Sequence, residues 1–471
     1  MSSLLKPPPL EVNPEDPFGV DCFGLKPFAE ALTSLAQTTS ASFVVNLEAP
    51  WGNGKTTFLK MWRHHLQSEG VRSLYFNAWE TDFSSDPLIA LIGELSVGID
   101  AFGIDPAQRA GIELKKLKKV GARVAARAVP ALVKAGTLGL LDLSEVTEEV
   151  LASAAEKIAE DEIKRYEESR DSIRSFRAAL EDFALKVSGS DDAGASLVII
   201  VDELDRCRPD YAIRVLETVK HLFSVPGVLF VVATDTRQLS NSIRHVYGLE
   251  AAAEDYLRRF FDLSLALPTP STRQFVQAQL ENYDLEGFFR SRSHPELQYD
   301  KAQVISAFVA MFGATGCSLR DQQKCFTLLA LSLSGVGENS YLHPLLLCPL
   351  IVLKVKRNVV YQDFVDGVID AEELVRILSE NLEGRKFFDS DRGYGDIVRA
   401  YLVAAMPSRE RREGIIAKYE AEVAAGAKPS PNGRVLEAYK HYSFRHARSA
   451  MQYVLPRIEL FARQGIEAEQ G

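Results

Sequence analysis

Two glycines, one lysine and two threonines stand close together in the stretch APWGNGKTT, at residues 49–57. Glycine allows the positive φ of a tight turn, whose backbone N–H groups can bind phosphate oxygens. Lys55 could reach the β- and γ-phosphates of a nucleotide, and the hydroxyl of Thr56 could bind Mg²⁺. The stretch matches the P-loop pattern G-x-x-x-x-G-K-[ST], except that Ala49 stands at the first glycine. A glycine turn beside a surface lysine is the alternative interpretation.

A cluster of acids follows an apolar run in LVIIVDELDR, at residues 197–206. Such a run is typical of a buried parallel strand. Burial of acids at its end costs free energy unless a metal or another charged group interacts with them. In this Walker B form, Asp202 at the strand end holds Mg²⁺, and Glu203 orients or deprotonates the attacking water. A solvated helix N-terminus is the alternative. Together the two motifs favour a P-loop that binds nucleotide phosphates and Mg²⁺.

Short apolar runs alternate with amphipathic helical patterns around both motifs. Strands are predicted within 42–48, 72–80, 196–206 and 227–235. Helices are predicted at 28–37, 55–67, 86–99, 209–223 and 237–248. Strands that alternate with helices form a parallel sheet covered on both faces. After Pro268 only helical patterns occur, and an apolar stripe at 173–183 is expected to pack on the sheet.

These patterns predict an α/β fold, in which a parallel-sheet P-loop NTPase domain with a helical insertion is followed by an all-helical C-terminal domain. The proline-rich residues 1–18 are expected to be a flexible lead-in. The NTPase domain is assigned to residues 19–268, with the insertion at about 100–190. Residues 269–471 are assigned to a helical lid and C-terminal domain.

The bulk composition is that of a soluble protein with a hydrophobic core. Of the 471 residues, 46% are hydrophobic and 25% are charged, and the formal net charge is -10. No global positive field therefore draws the chain to nucleic acid or acidic lipid. The cysteines form no CxxC pair, which disfavours a zinc site or a disulfide framework. Because no spanning segment or signal peptide is recognisable, we expect a cytoplasmic protein.

Several further stretches belong with the two motifs. They are DPFGVDCFGLKPFAEAL, APWGNGKTTFLKMW, LYFNAWE, IIVDELDRCRPDYAIRVLETVKHLF, FVVATDTRQLSNSI and YLRRFFDLSLALP. Together they resemble the KAP family of P-loop NTPases, which is related to the STAND branch. The resemblance covers residues 15–330 approximately and implies ATP binding, Mg²⁺ and hydrolysis. Where the family usually has a second aspartate, this chain has Glu203, which can also orient the attacking water.

The resemblance implies roles for other residues near the motifs. Asp205 and Arg206 keep the family's D-R pair, in which Arg206 could be a salt-bridge partner or a charge stabiliser. Asp235 falls where a sensor residue would contact the γ-phosphate or the attacking water. The predicted catalytic residues are Glu203, Lys55, Asp205 and Arg259, and the predicted metal ligands are Thr56 and Asp202. The predicted nucleotide-binding residues are Pro50, Trp51, Gly52, Asn53, Gly54, Lys55, Thr56, Thr57 and Asp235.

Three arginines are candidates for stabilising charge in the transition state. Arg258 and Arg259, in YLRRFF, could supply an arginine finger, which can raise the rate by roughly 10³ or more. A packed helix with a basic face is the alternative. Arg320, in CSLRDQQK, resembles the arginine that such families place on the helical lid.

A basic helical face is predicted in the insertion, near Lys116–Arg127. This face could bind a membrane surface or a nucleic-acid phosphate backbone. Membrane binding would place the protein peripherally at the inner membrane face. A solvent-exposed face without a partner is the favoured interpretation. His441 and His446, in YKHYSFRHARSAMQYV, have no cysteine or carboxylate partner at ligand spacing, so no metal is expected there.

The expected function is an ATP-dependent switch or motor, in which ATP–Mg²⁺ binding and hydrolysis are coupled to movement of the helical half. Family members occur in bacterial anti-phage and mobile-element loci, which suggests such a role by analogy. A protein partner or self-association through the helical half is expected. The alternatives are a non-hydrolysing ATP-gated scaffold and a DNA-dependent ATPase, which turnover and its stimulation by DNA would distinguish.

Overall fold

The protein is described by a computed structural model. It covers residues 11–459 apart from residues 20, 22, 40, 85, 102–117, 123, 125–166, 169, 188–196, 223–224, 249–252, 293, 335, 338–339, 391–393, 427–429 and 442–446. The chain divides into two compact units, one formed mainly by Leu25–Pro268 and the other mainly by Thr269–Gly471. We call them the sheet unit and the helical unit.

The sheet unit is built on five parallel strands. They are β1 (Phe43–Glu48), β2 (Ser73–Asn77), β3 (Leu197–Asp202), β4 (Val228–Thr234) and β5 (Leu263–Ala266), in the order β2-β3-β4-β1-β5. β3 and β4 are buried at every position, as central strands of a sheet covered on both faces are. Because β4 lies between β1 and β3, the loop after β4 separates the P-loop from the Walker B acids.

Helices connect these strands. They are α1 (Lys26–Thr38), α2 (Lys55–Ser68), α3 (Pro87–Ala101), α4 (Pro209–Leu222), α5 (Thr236–Tyr247) and α6 (Ala253–Arg258), with a 3₁₀ turn at Leu204–Arg206. Residues 170–187 are also helical. Phe176, Leu180 and Phe183 of this stretch lie in the same hydrophobic core as residues of β3 and β4, which confirms the predicted packing of 173–183 on the sheet.

The helical unit contains no strand among its described residues. Its helices are α7 (Thr272–Asn282), α8 (Leu285–Ser291), α9 (Asp300–Thr315), α10 (Leu319–Leu333), α11 (Pro344–Lys356), α12 (Asn358–Val365), α13 (Ala371–Leu378), α14 (Leu382–Phe388), α15 (Gly395–Ala405), α16 (Arg409–Ala424), α17 (Pro431–His441) and α18 (Ala447–Glu459). α11 is buried from Pro344 to Leu353. A helix that is apolar on all sides is expected at the centre of such a bundle.

The predicted fold class is confirmed, since a parallel α/β sheet is followed by a mostly helical C-terminal region. The sequence analysis did not predict β5, which pairs with β1 at the sheet edge. This strand is short and mostly exposed, so it lacks the apolar run that marks the central strands. Among the described residues, no helix has the length and apolar character needed to cross a membrane.

Candidate nucleotide-binding site

The P-loop forms a turn between β1 and α2. Gly52 and Gly54 have φ values of 81° and 86°, in the left-handed region where residues with a Cβ are strained. Gly54 directly precedes α2, whose first residue is Lys55. The N–H groups at a helix N-terminus are available to an anion. The backbone of this turn is therefore suited to phosphate oxygens, as the glycine spacing predicts.

Asp205 is the centre of a buried network that includes Lys55. Its Oδ2 accepts hydrogen bonds from the indole N–H of Trp51, at 2.8 Å, and from the backbone N–H of Asp235, at 2.7 Å. The same oxygen lies 3.5 Å from Lys55 Nζ, which also donates to the carbonyl oxygen of Ala49 at 2.5 Å. Burial raises the pKa of Asp205, while Lys55 and the N–H donors act in the opposite direction. We call Asp205, Lys55, Trp51 and Asp235 the Asp205 network.

Asp235 connects this network to α5. It is the N-cap of that helix, where its Oδ1 accepts a hydrogen bond from the backbone N–H of Gln238 at 3.3 Å. Its Oδ2 accepts one from the backbone N–H of Trp51 at 3.0 Å. An N-cap carboxylate satisfies N–H groups that have no partner within the helix. Asp235 therefore holds the P-loop backbone and the start of α5 together.

Both carboxylate oxygens of Asp202 are engaged. Asp202 is the last residue of β3 and is 1% exposed. Its Oδ2 accepts a hydrogen bond from the hydroxyl of Tyr75 at 2.7 Å, and its Oδ1 accepts one from the backbone N–H of Glu203 at 2.8 Å. Burial, and then the charge of Asp202, raise the pKa of Tyr75, so its hydroxyl stays protonated and donates. The sequence analysis did not assign a role to Tyr75, because tyrosine is an ordinary strand residue.

Glu203 has a left-handed backbone conformation, with a φ of 59°. This conformation is uncommon for glutamate, and such residues cluster at functional sites. Its Oε1 lies 3.0 Å from Nη1 of Arg206, at the end of the 3₁₀ turn. The guanidinium of Arg206 in turn lies over the ring of Trp79, 5.7 Å from the centroid. Glu203 is therefore fixed by a salt bridge rather than left free in solvent.

The oxygen donors fit a magnesium ion. Thr56, in the first turn of α2, and Asp202 supply a hydroxyl and a carboxylate, which are ligands that Mg²⁺ accepts. Mg²⁺ is usually bound by one or two carboxylates together with waters and substrate phosphates. Within the described part of the chain, no group of three His, Cys, Asp or Glu residues could hold a metal ion. A metal held jointly by this pair and by phosphates fits these observations.

Two predicted arginines lie apart from this network. Arg258 pairs with Asp255 at 3.0 Å on the surface of α6, and Arg259 is exposed just after that helix. Among the described residues, neither makes a hydrogen bond or ion pair with the P-loop. The arginine finger therefore stays a prediction. Arg320 is exposed near the start of α10, in the helical unit.

Other predicted features fall mostly outside the described residues. Lys116, Arg123 and Arg127 of the basic face are among these, as is His446. His441, the last residue of α17, is exposed. The predictions about a basic surface stay predictions.

A P-loop between β1 and α2, together with acids at the end of β3 in a parallel sheet, defines a P-loop NTPase. A model of the KAP family P-loop domain matches residues 25–307, so the chain belongs to the KAP family. The resemblance inferred from the sequence motifs is thereby confirmed.

The chain is also similar to one curated protein and to several solved structures. It is 21% identical over 364 residues to the Phage T7 exclusion protein of Escherichia coli (strain K12), which is 73% of this chain and 45% of that protein. The chain therefore spans about half the length of this relative. The Aeropyrum pernix ORC2 protein is 14% identical, with 97% of this chain and 96% of that chain covered and a TM-score of 0.32. Cdc6p from Pyrobaculum aerophilum is 12% identical, with 93% of this chain and 94% of that chain covered and a TM-score of 0.34.

Proposed function

We propose that this chain binds ATP together with Mg²⁺ and hydrolyses the ATP. The observation that carries the proposal is the contact between the P-loop and the Walker B segment. Lys55 Nζ lies 3.5 Å from Oδ2 of Asp205, and Asp205 belongs to the same short segment as Asp202 and Glu203. Two motifs far apart in the sequence therefore meet around one lysine, as phosphoryl transfer requires.

Each residue has a separate task in this proposal. The backbone N–H groups of residues 52–56 and the ammonium of Lys55 bind the β- and γ-phosphates. Thr56 and Asp202 would hold Mg²⁺, which would neutralise charge on the phosphate oxygens. Glu203 orients the attacking water and accepts its proton.

Hydrolysis then proceeds by an in-line displacement. The water oxygen forms a bond to the γ-phosphorus, while the bond from that phosphorus to the oxygen bridging it to the β-phosphate breaks. ADP leaves with the electron pair of the broken bond, and the proton of the water passes to Glu203. Inorganic phosphate is the second product.

The Asp205 network also explains how the position of Lys55 is fixed. An ammonium that is 9% exposed needs a counter-charge, and Asp205 supplies one. A triphosphate would compete with this carboxylate for the lysine. Asp235 accepts a hydrogen bond from the backbone of Trp51 and caps α5, so a displacement of the P-loop during this competition would also shift the start of α5.

We further propose that ATP binding and hydrolysis drive a conformational switch. ATP binding and hydrolysis change the state of the helical unit, which acts on a partner. The support for a role in anti-phage defence is the similarity to the Phage T7 exclusion protein. Fold and family do not fix the partner, so this role depends on that relative alone.

The test is ATP binding and turnover by the purified chain and three variants. We expect the wild type to hydrolyse ATP, Lys55→Ala to lose ATP binding, and Glu203→Gln to bind ATP while its turnover falls by a factor of about 100 or more. Lys60→Ala is the matched control, because Lys60 is an exposed lysine on the same helix. Equal ATP affinity of Lys55→Ala and the wild type would refute the site.

The same assay separates the alternative functions. Tight ATP binding without turnover by the wild type would favour a non-hydrolysing scaffold. Turnover that rises with added DNA and falls steeply with salt would favour a DNA-dependent ATPase.

A further inference from the structure

The stretch YFNAWE, at residues 75–80, has no task in the mechanism above, although it contacts the Walker B acids. β2 pairs with β3 in parallel, with Asn77 opposite Asp202. The carboxyl ends of neighbouring parallel strands meet at one edge of a sheet, so the residues that follow β2 lie beside the acids that follow β3. We call residues 75–80 the β2-end segment.

Tyr75, the first residue of this segment, reaches along β3. Its backbone partner is Ile200, and Asp202 lies two residues further on, where side chains return to the same face of the sheet. The Tyr75 hydroxyl donates to Oδ2 of Asp202 at 2.7 Å, while the N–H of Glu203 donates to Oδ1 at 2.8 Å. One bond on each oxygen fixes the plane of the carboxylate. Hydrogen bonds of this kind orient a metal ligand and tune its affinity.

Trp79, near the other end of the segment, acts on Glu203 through Arg206. The turn that carries Trp79 is fixed by Asn77, whose Oδ1 accepts the Trp79 N–H at 3.1 Å and whose Nδ2 donates to Glu80 at 2.8 Å. Trp79 is 53% exposed, yet its ring covers the guanidinium of Arg206 at 5.7 Å. Arg206 holds the carboxylate of Glu203 at 3.0 Å.

We infer that the β2-end segment positions both Walker B acids, with Tyr75 orienting Asp202 for the metal and Trp79 orienting Glu203 for the water by way of Arg206. Tyr75 and Trp79 are positioning residues, since neither has to touch the nucleotide. The inference rests on the proposed ATPase function. It also predicts two separate defects, because the two contacts act on different acids.

Tyr75→Phe tests the metal arm, since it removes the hydroxyl and keeps the ring. We expect the Mg²⁺ affinity of the ATP-bound protein to fall about 10-fold, with metal-free ATP binding unchanged. The measurement is equilibrium ATP binding against Mg²⁺ concentration, together with Mn²⁺ binding by electron paramagnetic resonance, in a Glu203→Gln background that prevents turnover. Tyr211→Phe is the matched control, because the Tyr211 hydroxyl contacts Thr81, at 3.1 Å, rather than a Walker B acid.

Trp79→Leu tests the water arm. A cation over an exposed aromatic ring contributes about 0.5–1 kcal/mol, which is a factor of about 2–5, so we expect kcat to fall by that factor. KM for ATP and the Mg²⁺ dependence should stay as in the wild type, because the phosphate and metal contacts are intact. Trp79→Phe keeps an aromatic face for Arg206 and should restore most of the rate. Arg206→Met removes the salt bridge itself and should lower kcat further than Trp79→Leu does.

The outcomes separate the two proposals. A wild type that neither binds nor hydrolyses ATP overturns the proposed function and this inference with it. A wild type that hydrolyses ATP, together with a Tyr75→Phe variant of normal Mg²⁺ affinity or a Trp79→Leu variant of unchanged or higher kcat, overturns the positioning role alone. Melting curves of each variant show whether it is folded at the assay temperature. A lower melting temperature alone would not lower the Mg²⁺ affinity in one variant and kcat in the other.

Discussion

The hydrogen bond between Trp51 and Asp205 predicts a loss of stability that depends on pH. Trp51→Phe keeps an aromatic ring and removes the indole N–H that donates to Asp205 Oδ2 at 2.8 Å. Asp205 is 7% exposed, so water cannot fully replace that donor. A hydrogen bond to a charged group contributes about 1.5–3 kcal/mol, and each kcal/mol corresponds to about 2–4 °C in a domain of this size. We therefore expect the sheet unit of Trp51→Phe to melt about 3–12 °C below that of the wild type at pH 8.

The loss should shrink at lower pH, because the indole N–H stabilises the ionised form of Asp205 more than the protonated form. Burial raises the pKa of Asp205 above its ordinary value of 3.8, and the Trp51 N–H is one of the groups that lower it. Without the indole, Asp205 has a higher pKa and protonates earlier as the pH falls. The difference in the free energy of unfolding is therefore largest above both pKa values and decreases as the pH falls through them.

Unfolding by urea and by heat, at pH 8 and at pH 3.8, measures this difference, because the raised pKa of Asp205 lies above 3.8 in both variants. Trp79→Phe is the matched control, because Trp79 is 53% exposed and its indole N–H has no hydrogen bond among the described residues. It should change the free energy of unfolding by less than about 0.5 kcal/mol. Equal stability of the two variants at pH 8, or a Trp51→Phe loss that is the same at both pH values, would refute the reasoning.

Four further substitutions have defined outcomes. Gly54→Ala places a Cβ on a residue with a φ of 86°, which costs roughly 1–2 kcal/mol, and it should weaken ATP binding in a titration. Gly384→Ala would place its Cβ against the carbonyl oxygen of Leu378, so the urea midpoint should fall by an amount equivalent to about 1–3 kcal/mol. Gly414→Ala is the control, because a Cβ on Gly414, in α16, meets open space; it should raise the free energy of unfolding by about 0.5–1 kcal/mol. Burial, and then a neighbouring guanidinium, lower the pKa of His343 from 6.5 to about 4, so the wild type should lose on the order of 3 kcal/mol of stability as the pH falls from 6.5 to 4. His343→Asn, which tolerates the left-handed backbone at this position, should remove that loss in urea unfolding at the two pH values.

Much of the sheet could be predicted because buried strands appear in the sequence as short apolar runs. β3 and β4 are buried at every position, and their β-branched runs are the ones that the sequence analysis selected. The position of α2 followed from Gly54 and Lys55, which mark its start. β5 has no such trace, since it is defined by its pairing with β1 and not by its own residues.

The contacts within the site could not be predicted in the same way, because they depend on strand order and register. Trp51 reaches Asp205 across the end of β4, which lies between β1 and β3, and no local pattern specifies that strand order. Similarly, the bond from Tyr75 to Asp202 depends on the register that sets Tyr75 opposite Ile200. The family resemblance predicted which acids form the site, but not which side chains contact them.

The same strand order predicts that the proposed site would need a cation to accept a triphosphate. The ends of β3 and β4 bring together the carboxylates of Asp202, Glu203, Asp205 and Asp235. Within the contacts described above, the cations that face them are Lys55 and Arg206. Acids therefore outnumber bases in this group, and like charges that are brought together in a partly buried site repel each other. In the proposed function Lys55 moves from Asp205 to the phosphates and leaves Asp205 without that partner, so the added charge would have to be balanced by a metal at Asp202 or by protonation of a buried acid. Burial raises the pKa of Asp205, which favours uptake of that proton by this carboxylate.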